Sequence, residues 1–289
     1  AEPENYALTV FTAQERKEWE PVIKEVEERT GWNVRVETGS AKEMLSQLEK
    51  EEADWDVAFG VSADALEEGK EYWQTGKDAW TGYSAVSFVI LYNTNVVTYR
   101  ELPTGWDSLL EPRWKGRVAV PDPLKSDMAA SVLTEAAKNS EKEEFLDLLA
   151  ENMQYQMPET FKEVEQGISD GRYSIGVTSE EAAKAMLAAG QDVDYIDPEE
   201  GECFFEDGTA IRKRTPNLDA SEAFVTYTTC DDTKWLLRTQ LLRQPAEDVA
   251  AENDRSDEEL KQRYSRQQEV LNIWKIIMEE KGRKDWSSP

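Results

Sequence analysis

Three hydroxyl residues, Thr12, Ser40 and Ser62, stand where an apolar run gives way to a helical pattern. The first N–H groups of a helix are open at such a junction, so a small hydroxyl there either caps the helix or helps to hold an anion. Each residue taken singly fits both roles. Asp127 and Glu180 occupy similar junctions later in the chain, where a carboxylate either stabilises the helix dipole or favours a cation, a metal or sugar hydroxyls over a bare phosphate. The absence of histidine removes serine-type triads, His-Cys dyads and most zinc, copper and non-haem iron sites. There is no GxGxxG, Walker, GxSxG or HExxH pattern, and adjacent acids such as Glu180-Glu181 and Glu199-Glu200 are ordinary in so acidic a chain. The expectation is a protein that is not an enzyme and has no cofactor, with a secreted paired-carboxylate hydrolase as the outlying alternative.

The elements that must position these residues alternate. Ala7–Phe11 reads as a strand, Ala13–Thr30 as an amphipathic helix with Gly31 as its stop, Asn33–Val36 as a strand and Ala41–Glu51 as a helix capped from Thr38-Gly39-Ser40. Asp56–Phe59 is a third strand ending at Gly60, with Ser62 capping the next helix. This βαβαβ run implies a parallel sheet, whose ligands lie at the turns after the strands. Ser87–Tyr92 is a continuous apolar run that suits one buried strand. The passage from Trp80 to Met128 reads as the place where the chain leaves one unit and begins another. The second unit repeats the alternation: helices at 127–137, 143–152, 160–169 and 179–189, strands at 118–120, 173–177 and 193–196. A strand at Thr209–Arg212 and helices at 218–228, 232–242 and 267–278 follow, the last with Val270, Ile273, Trp274 and Ile277 on one face.

The chain has 289 residues and favours two domains. Its 60 acidic against 33 basic residues, a net charge of −27, speak against nucleic acid and against an anionic membrane surface. No run approaches a membrane span, and the opening AEPENYALTVF reads as a trimmed terminus whose export signal is already gone. Cys203 and Cys230 lack CxxC spacing; they form one disulfide in an oxidising compartment or remain two thiols.

In the order LTVFTAQE, ERTGWNVRVETGS, DVAFGVSADALEEG, WTGYSAVSFVILYNT, LPTGWDSLLEPRWKGRVAVPDP, GRYSIGVTSEEAA, DPEEGE and DGTAIRK, the chain resembles the family-1 extracytoplasmic solute-binding proteins of ABC transporters, the group of ferric-ion, phosphonate and hexose-phosphate binders. The resemblance covers nearly the whole chain. It implies an α/β, two-lobed fold of the type II periplasmic-binding-protein kind, with lobe 1 at 1–92 and 213–289, lobe 2 at 93–212 and hinge strands near 87–94 and 205–212. It implies a monomer that captures a small ligand in the cleft between the lobes and passes it to a membrane permease. The location implied is extracytoplasmic, either periplasmic or as a cell-surface lipoprotein with its anchor removed. The family's ligand loops fall on Thr12, Ala13, Gly39, Ser40, Ala41, Ser62 and Trp80, and on Ser126, Asp127, Met128, Thr178 and Glu180.

Departures from the family bear on the ligand. Phosphate-holding relatives usually have a glycine- and serine-rich turn in place of Ser126-Asp127-Met128 and a glycine near Ala41-Lys42, although Lys42 offsets part of the acidic repulsion. Ferric binders typically use closely spaced tyrosines, for which this chain offers Tyr195, with Tyr173 earlier and Glu180 as a third candidate. The expected solute is a small polar organic molecule, phosphate- or phosphonate-bearing or not. Ferric ion is the alternative, and a cation such as a polyamine or thiamine-like molecule is the next.

Overall fold

The computed structural model of the chain describes residues 6–74, 79–201, 203–249 and 255–281. In chain order the elements are β1 (Leu8–Thr12), α1 (Arg16–Thr30), β2 (Val34–Thr38), α2 (Ala41–Glu49), β3 (Val57–Ser62), α3 (Ala63–Glu68), β4 (Thr81–Asn93) and β5 (Val118–Ala119). Then come α4 (Asp127–Asn139), α5 (Phe145–Asn152), α6 (Phe161–Ser169), β6 (Ile175–Ser179), α7 (Glu180–Ala188), β7 (Val193–Ile196) and β8 (Cys203–Ile211). The chain continues through α8 (Leu218–Thr228), α9 (Asp231–Leu236), β9 (Gln244–Pro245), α10 (Ala246–Val249) and α11 (Asp257–Glu280).

Contacts divide the chain into two compact units, Ala1–Ala85 with Glu206–Tyr264 and Val86–Phe205 with Ser265–Pro289. The backbone passes from one to the other within β4, within β8 and within α11. The expected lobe boundaries place all of 213–289 in the first lobe; the contact grouping puts Ser265–Pro289 in the second unit. Val270, Trp274 and Ile277 of α11 are buried in one core with Phe88, Trp106 and Trp114, and that apolar contact holds the end of α11 in the second unit. Ile273, expected on the same face, is exposed.

In the first unit β1 pairs in parallel with β2 and β3, as the βαβαβ pattern requires, and β3 pairs antiparallel with β8. Gly60 does not end β3. It takes a positive φ of 62° inside the strand, where the register against β8 shifts between Phe59 and Val61, so the glycine forms a bulge and the strand continues to Ser62. One face buries Leu8, Val10, Val22, Ile23 and Phe224, the other Phe11, Met44, Trp55, Leu66 and Trp73. In the second unit β4 pairs antiparallel with β6 and β7, and β5 lies parallel to β6.

β8 is longer than the expected Thr209–Arg212 because Cys203, Phe204 and Phe205 extend it as a buried run. The helix expected over 232–242 changes at Leu237 to one π turn ending at Leu242, which has φ 52° and releases the chain into β9. Part of the charged stretch 246–266 lies outside the described residues, as does Glu202 of the DPEEGE segment. Cys203 is buried, Cys230 is half-buried, and the two are not joined in a disulfide. Among the described residues no helix is long and apolar enough to cross a membrane.

Candidate functional site

The strand-to-helix turns of the first unit hold its expected ligand residues, and most of their polar atoms are already engaged. The Thr12 side chain is fully buried and its Oγ1 accepts from the Gln14 amide at 3.2 Å. Thr12 therefore shapes the turn rather than capping α1. That helix begins three residues later than expected, at Arg16, because Glu15 and Glu18 close a capping box with each other. Ala13 lies in this turn, half-buried against the Phe11–Trp55 core.

Ser40 caps α2 as expected. Its Oγ accepts from the Glu43 amide at 3.2 Å, while its own N–H and Oγ donate to Glu43 Oε2 at 2.8 and 3.0 Å. These bonds from Ser40 hold the Glu43 carboxyl below its usual range. The anion site of a bare helix start is thus taken by the chain's own carboxylate, over Ala41. Gly39 has a packing reason: a Cβ there would come within 2.9 Å of the Phe11 ring. Ser62 is buried and accepts from the Ala65 amide at 3.4 Å, at the start of α3. Trp80 gives its indole N–H to the buried carboxylate of Glu67 at 3.2 Å, and its ring lies where a Cβ on Gly208 would come within 2.8 Å.

Sequence reasoning missed the polar group beneath these turns. Asp207 of β8 is fully buried and accepts from Ser84 N at 3.1 Å, Ser84 Oγ at 2.7 Å, Gln14 Nε2 at 2.9 Å and Arg243 Nη1 at 2.6 Å. Arg243, also buried, reaches Ser84 Oγ at 2.8 Å and Glu18 at 2.8 Å. Burial pushes the Asp207 carboxyl up, against the pull of Arg243 and the hydrogen bonds from Ser84 and Gln14. The neighbouring Glu206 is pushed up to about 7 by burial and by the charge of Asp207. Residues 14, 84, 207 and 243 share no spacing that a sequence pattern would reveal.

In the second unit Ser126 caps α4 by accepting from the Ala129 amide at 3.3 Å, and the backbone carbonyl of Asp127 accepts from Gln267 of α11 at 3.3 Å. Met128 packs against the large apolar core. Thr178 is fully buried and donates to Glu165 at 2.7 Å; the cap of α7 is Ser179, one residue on. Glu180 is where side chains from three elements meet. Its carboxylate accepts from Ser87 Oγ of β4 at 3.3 Å and from Tyr195 OH of β7 at 3.5 Å, and lies 2.9 Å from Lys184 Nζ. The structure therefore joins Tyr195 to Glu180, but Tyr173 lies apart, with its ring over Gly167 and the Arg172 guanidinium 5.5 Å from its centre. Burial and the Glu180 charge push the Tyr195 phenol up. Among the described residues no group of three or more His, Cys, Asp or Glu is placed to hold a metal ion.

The family model of the bacterial extracellular solute-binding proteins matches residues 61–268. The chain belongs to that family. It is an extracytoplasmic solute-binding protein, the solute-binding component of an ABC importer. No curated protein matches it. Among solved structures, the ferric binding protein from Campylobacter jejuni is similar with a TM-score of 0.74 and 17% identity, over 93% of this chain and 99% of that one. The periplasmic binding protein AfuA from Actinobacillus pleuropneumoniae, with fructose-6-phosphate bound, gives 0.75 and 14% over 94% and 98%. Iron-bound HitA from Pseudomonas aeruginosa gives 0.70 and 16% over 93% and 98%. At these identities the likeness shows the fold: α/β, with mixed sheet flanked by helices, as in type II periplasmic binding proteins. The family and these neighbours are binding proteins rather than enzymes.

Proposed function

We propose that this solute-binding protein captures a small polar organic solute by closure of its two units, without chemical turnover, and delivers it to a membrane permease. The observation that carries the organic reading over ferric ion is that the two candidate phenolate ligands are not brought together: Tyr195 meets Glu180, whereas the Tyr173 ring lies over Gly167 beside Arg172. Ser87, Glu180, Lys184 and Tyr195 supply a hydroxyl, a carboxylate, an ammonium and a phenol within one patch, the mixed lining that orients a neutral or zwitterionic polar molecule. The closed cap at Ser40 and Glu43 weighs against a phosphate at the start of α2.

A thermal-shift screen of sugar phosphates, phosphonates, polyamines and ferric salts tests this reading. A ligand at a hundred times its Kd stabilises the folded state by about 2.7 kcal/mol through mass action. The expected result is a rise in melting temperature with one organic class and none with ferric citrate. A rise with ferric citrate alone would replace the organic reading with the ferric one.

A further inference from the structure

β4 and β8 carry the chain between the units, and both are tied down at one buried point just inside the first unit. Ser84 is two residues before the passage in β4, and Asp207 is two residues after the passage in β8. The Ser84 N–H and Oγ both reach Asp207 Oδ1. Arg243 binds both residues from the segment leading into β9, whose Gln244 and Pro245 pair with Ala85 and Ser84. The roots of the two strands therefore cannot move apart without breaking charge-assisted bonds in a place water does not reach, where their loss is costly.

One arm of this clamp leaves it. Gln14 lies in the turn between β1 and α1, beside Thr12 and Ala13, and its amide nitrogen donates to Asp207 Oδ2 at 2.9 Å. The carboxylate accepts only, so the amide turns its N–H₂ toward Asp207 and its Oε1 away. That oxygen is buried and, among the described residues, has no hydrogen-bond partner. The amide packs against the backbone of Gly60, where a Cβ would come within 2.3 Å of Gln14 Cδ. A buried unpaired acceptor is unfavourable, so a displacement of the turn that pairs or hydrates Oε1 lowers the energy of the moved state relative to this one. The turn thus has a reason to occupy a second position, and its side-chain link is to the roots of both passing strands.

We propose that Gln14 is a positioning residue that couples the β1–α1 turn to the strand roots through Asp207, so that solute binding and the set of the passing strands are linked. This rests on the solute-capture reading above. It treats Gln14 as acting through Asp207, not as a solute contact.

The test is hydrogen exchange at the backbone amides of residues 81–86 and 206–210 in the full chain, with and without fructose 6-phosphate, putrescine and ferric citrate in turn, for the wild type and Gln14→Leu. Gln14→Asn, one methylene shorter, is a second variant should Gln14→Leu not fold. With a probe that binds, wild-type exchange at these strand roots is expected to slow at least tenfold, and the variant, saturated with the same probe, to show less than a twofold change. Equal slowing in wild type and variants overturns the coupling while leaving solute capture standing. If no probe binds the wild type, the capture reading fails and the coupling falls with it.

Discussion

Gln14 and Asp207 are 193 positions apart in sequence, yet their side chains meet at 2.9 Å in the buried interior of the first unit. The pair ties the turn after the first strand to a strand that carries the chain between units. Asp207 also faces Arg243 at 2.6 Å, with no exposure of the carboxylate side chain. Removing it with Asp207→Ala strips a buried guanidinium of its fully buried carboxylate partner. A loss of about 3–5 kcal/mol in unfolding free energy is expected, measured by denaturant titration. A loss under 1 kcal/mol would show that the clamp is not held by this ion pair.

Ser40 illustrates what was legible in the sequence and what was not. Its place before α2 and the glutamate three residues on spell a capping box, and the structure has one. Ser40→Ala should cost about 1 kcal/mol of stability and leave solute affinity unchanged. If calorimetry instead shows weaker solute binding, Ser40 contacts the solute despite its closed cap.

The pattern was readable wherever local periodicity decided the outcome. The β1-β2-β3 run, the buried Ser87–Tyr92 segment and the four helices between Asp127 and Ala188 follow from the spacing of apolar residues. Asp207-Gly208 reads as a turn in the sequence, which limits the expected strand to Thr209–Arg212, whereas Asp207 is a buried acceptor and Gly208 lies under the Trp80 ring. Thr12 reads as a cap residue in the sequence, but the residue capping α1 is Glu15. Long-range polar partners such as Arg243 leave no periodic trace, so the clamp became visible only in three dimensions.

Glu206 gives a pH prediction. Its carboxyl is pushed from an ordinary 4.5 up to about 7, so the folded chain holds a proton there that the unfolded chain has released. Between these values the native state binds more protons, and stability falls as pH rises through them. Raising pH from 5 to 8 should cost up to about 3 kcal/mol from this group, and Glu206→Gln should flatten that part of the curve. Parallel pH curves for wild type and variant would contradict it.

The net charge of −27 gives a salt prediction. Self-repulsion among surface carboxylates opposes the compact state, and salt screens it with a Debye length of about 10 Å at 0.1 M and about 3 Å at 1 M. The melting temperature should rise between 0.05 and 1 M sodium chloride. A flat or falling curve would mean that the surface ion pairs lost to screening matter as much as the repulsion.

Titration calorimetry of the intact chain with a polyamine, a sugar phosphate, a phosphonate and ferric citrate tests the central claim most directly. The account predicts saturable binding of one organic class with one solute per chain. Binding of ferric citrate alone, or of none of the four, would contradict it.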